Sequence, residues 1–298
     1  MTGTIGFIGL GIMGLPMAAN LVKKSGRVVY GFDVVQERCD LFQQAGGKAA
    51  SKPEQIYAGC DVIFLCLPTN ELVKDYLQAI IDFGREGTIV VDMGSTAPDI
   101  IIEMGEEGKR KGIELVDAPV SGGEGYAREG TLAIMCGGDE EVFAKVKPLL
   151  HCMGSSVVHV GKTGSGSVTK LINNMIVGAN IAAVCEGLAF AVKAGLDPAV
   201  VYEAIKDGGA SSTILDLKAP KIIKRDFRPA ARMAVHQKDL RNAVALAEKL
   251  GVSIPMTEMV LGYMDEMERK GKIDEDHCAI AGVYEENMGV VIKSEKYS

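Results

Sequence analysis

Along the first 160 or so residues, short apolar runs alternate with longer stretches in which apolar positions recur every three or four residues. The runs IGFIGL, VVYGFD, DVIFLCLP, TIVVDMGS, ELVDAPV and TLAIMCGG are each four to eight residues long and mostly rich in Val, Ile and Leu. Segments such as 17–25 and 98–111 between them are amphipathic. Strands alternating with helices in this way predict a parallel sheet covered by helices on both faces. After Gly161 the texture changes: GSGSVTKLINNMIVGANIAAVCEGLAFAVKAGLD is small and apolar nearly all round. It predicts one long buried helix over about 163–194, with a Gly/Ser-rich start and Gly195 and Pro198 as its stop. Beyond it the pattern predicts helices over 198–206, 213–224, 236–250, 256–270 and 276–288, and no further strand. The expected architecture is therefore α/β: a Rossmann-type doubly wound sheet over 1–162, followed by an all-helical domain over 163–298, joined by the long helix.

Length and composition agree with two domains, since 298 residues with 47% apolar content can build two cores. The formal net charge of -7, without a dense run of Lys and Arg, argues against nucleic acid or a lipid surface as partner. The N-terminus enters a strand directly, with no basic stretch or cleavage pattern of an export signal, and no uninterrupted apolar run reaches about 18 residues. Seven cysteines lie mostly within apolar segments and form no CxxC pair, which reads as buried free thiols in a reducing cytosol. Four scattered histidines offer no metal-ligand spacing, so no metal is expected.

Chemistry enters first at Gly9-Leu10-Gly11-Ile12-Met13-Gly14, a GxGxxG that follows one strand and opens a helix. In that context Gly9 permits a tight turn, Gly11 lets backbone amides, including those of Ile12 and Met13, approach a pyrophosphate, and Gly14 lets the helix pack on the sheet. The second strand ends in Asp33, 19 residues past Gly14, where a carboxylate can accept from an adenosine ribose and repel a 2′-phosphate. Val34 and Val35 follow where an NADP site more often places Arg, so NAD is preferred over NADP; Asp33 can equally cap the next helix. Two later strand ends, Leu67-Pro68-Thr69-Asn70 and Met93-Gly94-Ser95-Thr96, should line the same crevice.

A second cluster follows the strand ending at Asp117. Ser121, Gly122 and Gly123 can form an anion-holding concavity for a carboxylate, although such a triplet is also an ordinary turn. On the long helix Lys170 and Asn174 are one turn apart and project from one face, with Asn173 beside them. Burying these polar groups unpaired would cost a few kcal/mol each, so they need partners. A half-buried lysine can give a proton to a carbonyl oxygen, or it can simply snorkel at a wet helix start. Near 238, Lys238 and Asp239 open a further helix with charge.

Taken together, GFIGLGIMGLPMAANL, DAPVSGGEGYAREGTLAIMCGG, GSGSVTKLINNMIVGAN and KDLRNA resemble the β-hydroxyacid dehydrogenase family over nearly the whole chain. The resemblance implies that Lys170 is the catalytic acid/base, that Asn174 helps hold the substrate and that Ser121, Gly122 and Gly123 bind its carboxylate end. It also implies cofactor contacts from Ser95 and Lys238, closure of the cleft over both ligands, and a homodimer or homotetramer paired through the helical domain; the charged helix start at Lys238 and Asp239 can itself bring Asp239 toward that cleft. The stretches STILDLKAPK and DHCAIAGVYEE further resemble members that reduce tartronate semialdehyde, with 3-hydroxyisobutyrate-type substrates as the alternative. Asn174, where Gln is frequent, and Gly125-Tyr126 in the substrate loop depart from that pattern. A non-catalytic dinucleotide-binding module would share the first motif but has little use for Lys170.

Overall fold

The structure is a computed structural model and describes residues 3–297. The chain divides into two compact units, Met1–Lys170 and Leu171–Ser298. The sequence pattern puts the division at 162/163; the first residues of the long helix belong instead to the first unit.

The first unit is built on strands β1 (Ile5–Ile8), β2 (Val29–Phe32), β3 (Lys48–Ala49), β4 (Val62–Leu65), β5 (Ile89–Asp92), β6 (Glu114–Asp117), β7 (Val120–Ser121), β8 (Leu132–Gly137) and β9 (Gly154–Gly161). The helices between them are α1 (Gly14–Lys24), α2 (Gln36–Gln44), α3 (Glu54–Gly59), α4 (Asn70–Phe83), α5 (Pro98–Arg110), α6 (Glu124–Glu129) and α7 (Glu140–Leu150). The strand order is β3-β2-β1-β4-β5-β6-β8-β7, with β9 paired to β8. From β3 to β6 every pairing is parallel. Alternate residues of one strand enter different cores: Val62 and Phe64 pack with Phe7, Met17 and Phe42, whereas Ile63 and Leu65 pack with Ile56, Leu77 and Ile101. A sheet buried on both faces explains why these strands read as unbroken apolar runs.

Two features depart from the expected all-parallel pattern. Strand β8 runs antiparallel to β6 and β7, because the link from β6 contains only the two-residue β7 and the six-residue α6 and has no full crossover helix. Strand β9, GSSVVHVG, lies outside the expected set: among the described strands it pairs only with β8 and leaves Ser156, Val158 and Val160 exposed, so neither a buried apolar run nor a polar/apolar alternation marks it.

The second unit is helical throughout. It contains most of α8 (Ser165–Lys193), then α9 (Pro198–Ile205), α10 (Thr213–Ile223), α11 (Met233–Leu250), α12 (Pro255–Arg269), a 3₁₀ turn (His277–Ile280) and α13 (Ala281–Met288). Its core gathers Ile181, Cys185, Leu188, Ile222, Met233, Leu240, Met264 and Ile280. Asp197, Ser212 and Asp276 cap their helices through side-chain oxygens. Helix α11 begins three residues before the expected His236 because the amides of Met233 and Ala234 donate to the carbonyls of Glu275 and Ile273, a tertiary cap that local sequence does not display.

Helix α8 is long and apolar enough, by length and composition, to cross a membrane, and its most apolar window is only 39% buried. Counting uninterrupted runs misses it, since Asn173, Asn174 and Asn180 break the pattern. One side of it packs in the core through Ile181, Cys185 and Leu188, while Ile172, Ile176 and Phe190 are exposed.

Candidate active site

The turn between β1 and α1 is shaped by two glycines that packing requires and one that it does not. Gly9 has φ +94°, and a Cβ there would stand 2.3 Å from the Cys66 carbonyl oxygen. A Cβ on Gly14 would lie 1.8 Å from the Gly9 carbonyl oxygen. At Gly11 the nearest protein atom to such a Cβ is Arg38 Nη1, 3.8 Å away, so no steric contact demands glycine. No side chain caps α1, and its first turn carries no acidic residue. Ile12 is exposed and Met13 half-buried at the same mouth. Open space over Gly11 and a helix start without a side-chain cap are the features a dinucleotide pyrophosphate uses.

Asp33 sits just past β2 with its side chain 5% exposed. Its Oδ2 accepts from the Leu10 amide at 2.8 Å and Oδ1 from the Val35 amide at 2.9 Å. The carboxylate thus ties the glycine turn to the entry of α2. Arg38 stands loosely over it, Nη1 being 3.4 Å from each oxygen with its own side chain 45% exposed. The expectation from Val34 and Val35 does not include this arginine, whose signal is a cation five positions past Asp33 in the first turn of α2.

The two neighbouring strand ends are joined to each other. Asn70 Oδ1 accepts from the Ala97 amide at 3.0 Å, linking the Leu67-Pro68-Thr69 turn after β4 to the Ser95 turn after β5. Thr69 caps α4, and buried Asp92 holds the second turn through the Gly94 amide and the Thr96 hydroxyl at 3.1 and 2.6 Å. Leu67 and Ser95 are half-buried and Pro68 exposed.

The end of β6 controls the start of α8. Asp117, fully buried, accepts from the Gly164 amide at 2.8 Å through Oδ1 and from the Ser167 amide at 2.7 Å through Oδ2. It is a helix cap supplied from a distant strand, and it explains why α8 as far as Lys170 belongs to the first unit. Gly137 and Gly166 allow the approach, since a Cβ on either would come within 3 Å of an Asp117 carboxylate oxygen. Burial pushes the Asp117 carboxyl pKa up, with the two amides pulling the other way. From the same strand the chain runs on to Ser121, half-buried in β7, and then to Gly122 and Gly123 with φ +138° and +82°. Nothing lies within 4 Å of where a Gly123 or Gly125 Cβ would sit, while Gly122 packs under Tyr126. Lys170, half-buried, lies in the second turn of α8.

In the second unit Asn174 is buried and its Nδ2 donates to Asp239 Oδ2 at 2.6 Å, while its Oδ1 accepts from Asn173 at 2.9 Å. Lys238 Nζ is 3.2 Å from the other Asp239 oxygen. Asp239 is therefore an inner partner of Asn174, itself only 1% exposed. The fold also joins two histidines that no sequence spacing linked: His236 and His277 meet at 2.9 Å. Beside them Lys218 and Asp276 form a buried ion pair at 2.9 Å, with Asp276 accepting as well from the amides of Ala230, Ala231 and Cys278. Among the described residues, no three His, Cys, Asp or Glu side chains gather as a metal site.

The buried pair and histidine set an acid limit on stability. Burial, His236 and Lys218 hold His277 well below its usual pKa. Burial alone would raise the Asp276 pKa, but His277, the Lys218 ammonium and the Cys278 amide overcome it and hold the carboxyl low. Both shifts have one sign: the unfolded chain binds the extra proton, so stability is complete above about pH 6.5 and falls below it, by up to about 1.4 kcal/mol per pH unit for His277. Asp276 adds a second loss below about pH 3.9. Thermal melts between pH 7.5 and 5 should show the first decline, and His277→Asn should flatten it; an equal decline in both proteins would assign the loss elsewhere.

All seven cysteines are free, six buried and Cys66 half-buried. Burial raises three of the thiols, Cys60 to about 11 and Cys66 and Cys136 to about 12, so these three are not nucleophiles near neutral pH.

Residues 4–161 match the family model described as the NAD binding domain of 6-phosphogluconate dehydrogenase, and residues 164–284 match that described as NAD-binding of NADP-dependent 3-hydroxyisobutyrate dehydrogenase. The chain is 38% identical over 284 residues to the 2-hydroxy-3-oxopropionate reductase of Escherichia coli, covering 94% of this chain and 97% of that one. The chain belongs to the β-hydroxyacid dehydrogenase family. This dehydrogenase is also 37% identical over 292 residues to 2-(hydroxymethyl)glutarate dehydrogenase of Eubacterium barkeri, covering 97% of both. Its fold resembles the 3-hydroxyisobutyrate dehydrogenase of Mycobacterium tuberculosis solved with L-serine, with a TM-score of 0.87 and 29% identity over 95% of this chain and 99% of the other. As a member of this family the dehydrogenase is an oxidoreductase acting on CH–OH groups with a nicotinamide dinucleotide.

Proposed function

We propose that this dehydrogenase uses NADH to reduce tartronate semialdehyde to glycerate, with Lys170 as general acid/base. The observation that carries the reading is the Asp117 cap. One carboxylate at the end of β6 fixes the first turns of α8, which carry Lys170, to the strand that leads into Ser121, Gly122 and Gly123. Proton donor and carboxylate-holding turn are thereby set on one rigid support, as positioning of a carbonyl for attack requires.

In this mechanism the Ser121 hydroxyl and the amides of Gly122 and Gly123 hold the substrate carboxylate; the positive φ of both glycines and the open space at Gly123 support that role. NADH, when bound over Gly11, supplies hydride to the aldehyde carbon. Lys170 gives its proton to the carbonyl oxygen, so the C=O becomes CH–OH, and takes one back in the oxidative direction. Asn174, steadied by Asp239, orients the oxygen end of the substrate, and Ser95 contacts the cofactor with Leu67 and Pro68.

The substrates in the relatives' names share a skeleton. Glycerate, 3-hydroxyisobutyrate and 2-(hydroxymethyl)glutarate are all 3-hydroxypropionates that differ in the substituent on C2: hydroxyl, methyl or carboxyethyl. The reacting carbon and the carboxylate are common to all three, so selectivity rests on what faces C2. The 2-(hydroxymethyl)glutarate reading is favoured by exposed Tyr126 and the open space at Gly125, which leave room for a longer substituent. Steady-state rates with the three corresponding aldehydes separate the readings.

For the cofactor, Asp33 supports NAD over NADP, because a buried carboxylate at the ribose position disfavours a 2′-phosphate. Asp33→Ala should lower kcat/KM for NADH about tenfold and that for NADPH much less, the NADPH value controlling for the lost Leu10 and Val35 bonds; an unchanged NADH/NADPH ratio would remove the ribose role.

We also propose a cytoplasmic homodimer or homotetramer without nucleic-acid or membrane partners. A second copy covering the exposed Ile172, Ile176 and Phe190 of α8 would bury apolar surface that water otherwise meets. Light scattering should report a multiple of 31.6 kDa, reduced to the monomer by Ile176→Glu with Phe190→Glu; a monomeric parent protein contradicts the assembly.

A further inference from the structure

Helix α11 grips Asn174 twice. Asp239 takes its side-chain amide, and His236, three residues earlier on the same face, reaches its backbone: His236 Nε2 is 2.9 Å from the Asn174 carbonyl oxygen. A carbonyl only accepts, so Nε2 must carry hydrogen. Gly178, one turn beyond Asn174, lies against the same ring, a Cβ there falling at ordinary contact distance, 3.5 Å, from His236 Cε1 and Nε2. On the other side of the ring, His236 Nδ1 lies 2.9 Å from His277 Nδ1, and exactly one hydrogen can occupy that contact. Both histidines are 6% exposed. His277 Nε2 finds no hydrogen-bond partner and lies 3.8 Å from Asp276 Oδ1, whose carboxylate is taken up by Lys218 and three backbone amides.

We propose that His236 and His277 are a neutral pair of fixed tautomers that positions Asn174: His277 donates from Nδ1 to His236 Nδ1, and His236 donates from Nε2 to the Asn174 carbonyl. Neither ring touches the reacting atoms. They act through Asn174 by holding α8 at the turn where its side chain emerges. The unfilled Nε2 of His277 follows from this arrangement, because its single proton is spent on Nδ1. The buried Lys218–Asp276 pair completes the support: Asp276 caps the 3₁₀ turn that presents His277, and Lys218 anchors that cap to α10.

The proposal rests on Asn174 as a substrate contact, and the test separates the two. Kinetics with the aldehyde acid and NADH would compare the parent protein with Asn174→Ala, His236→Phe, His236→Gln and His277→Phe. Asn174→Ala and His236→Phe should each raise the aldehyde KM about tenfold or more, as a small misplacement in a site does. NADH dissociation constants should stay within about twofold, because the nucleotide turn lies in the other unit. His236→Gln, which can still donate to the carbonyl, should recover most of the affinity, and His277→Phe should fall between. An unchanged KM in His236→Phe alongside a raised one in Asn174→Ala overturns the positioning role and leaves the Asn174 reading standing. Unchanged values in both overturn both. If His236→Phe does not fold, ¹⁵N-edited imidazole spectra of the parent protein decide: Nε2–H on His236 with Nδ1–H on His277 supports the pair, and the reverse pattern or a cationic ring overturns it.

Discussion

Lys170→Met is expected to lower kcat by about 10²–10⁴-fold, the range over which a positioned general acid acts, while NADH binds as before. The asymmetry comes from where the groups sit. The nucleotide turn is held by Gly9, Gly14 and Asp33, none of which depends on α8, so removing one side chain from that helix leaves it intact. Methionine matches the four-atom stem of lysine without its ammonium, so packing along the half-buried stem is largely retained. Primary-deuterium effects with labelled NADH should grow in the variant as chemistry becomes rate-limiting. Turnover within a few-fold of the parent value would remove Lys170 from the mechanism, and loss of NADH affinity in step with turnover would make it a cofactor ligand.

Asp117→Ala carries the largest expected cost in stability, about 2–6 kcal/mol. The substitution leaves the amides of Gly164 and Ser167 buried without an acceptor, at about 1–3 kcal/mol each. The raised carboxyl pKa shows that burial charges a toll on the anion itself. What stabilises α8 is therefore the pair of acceptor oxygens more than the negative charge. Asp117→Asn, which retains one acceptor, should fall between alanine and the parent protein in urea-unfolding midpoint. The same cap fixes the turns that carry Lys170, so kcat should fall in Asp117→Ala even under conditions where the protein is fully folded. A variant with an unchanged midpoint would mean that α8 finds other partners for its first amides.

Much of this was legible in sequence where the determinant is local. The apolar runs from IGFIGL to ELVDAPV mark buried parallel strands because both faces of the sheet are covered. The Gly9-Gly11-Gly14 spacing survives as geometry, with Gly11 the position whose side-chain space is open. Lys170 and Asn174 share a helix as their spacing of four requires. What sequence could not display are contacts between distant segments. Asp117 reads as the last residue of a strand, yet its partners are 47 and 50 positions away. His236 and His277 are 41 positions apart and look unrelated until two helical elements bring them together. Strand β9 is hidden because GSSVVHVG neither alternates polar with apolar residues nor forms a long apolar run, and only its pairing with β8 reveals it. Arg38 is less visible for a simpler reason: the first turn of α2 returns it to the carboxylate it follows by five.

The common skeleton of the proposed substrates gives the most direct measurement. Initial rates of NADH oxidation would be taken with tartronate semialdehyde, methylmalonate semialdehyde, 2-formylglutarate and, as a four-carbon aldehyde acid with a different spacing between its functional groups, succinate semialdehyde. The account predicts turnover of 3-oxopropionates carrying a C2 substituent, fastest with tartronate semialdehyde, and abolished in each case by Lys170→Met. Efficient turnover of succinate semialdehyde with none of the C2-substituted aldehydes reduced would contradict it.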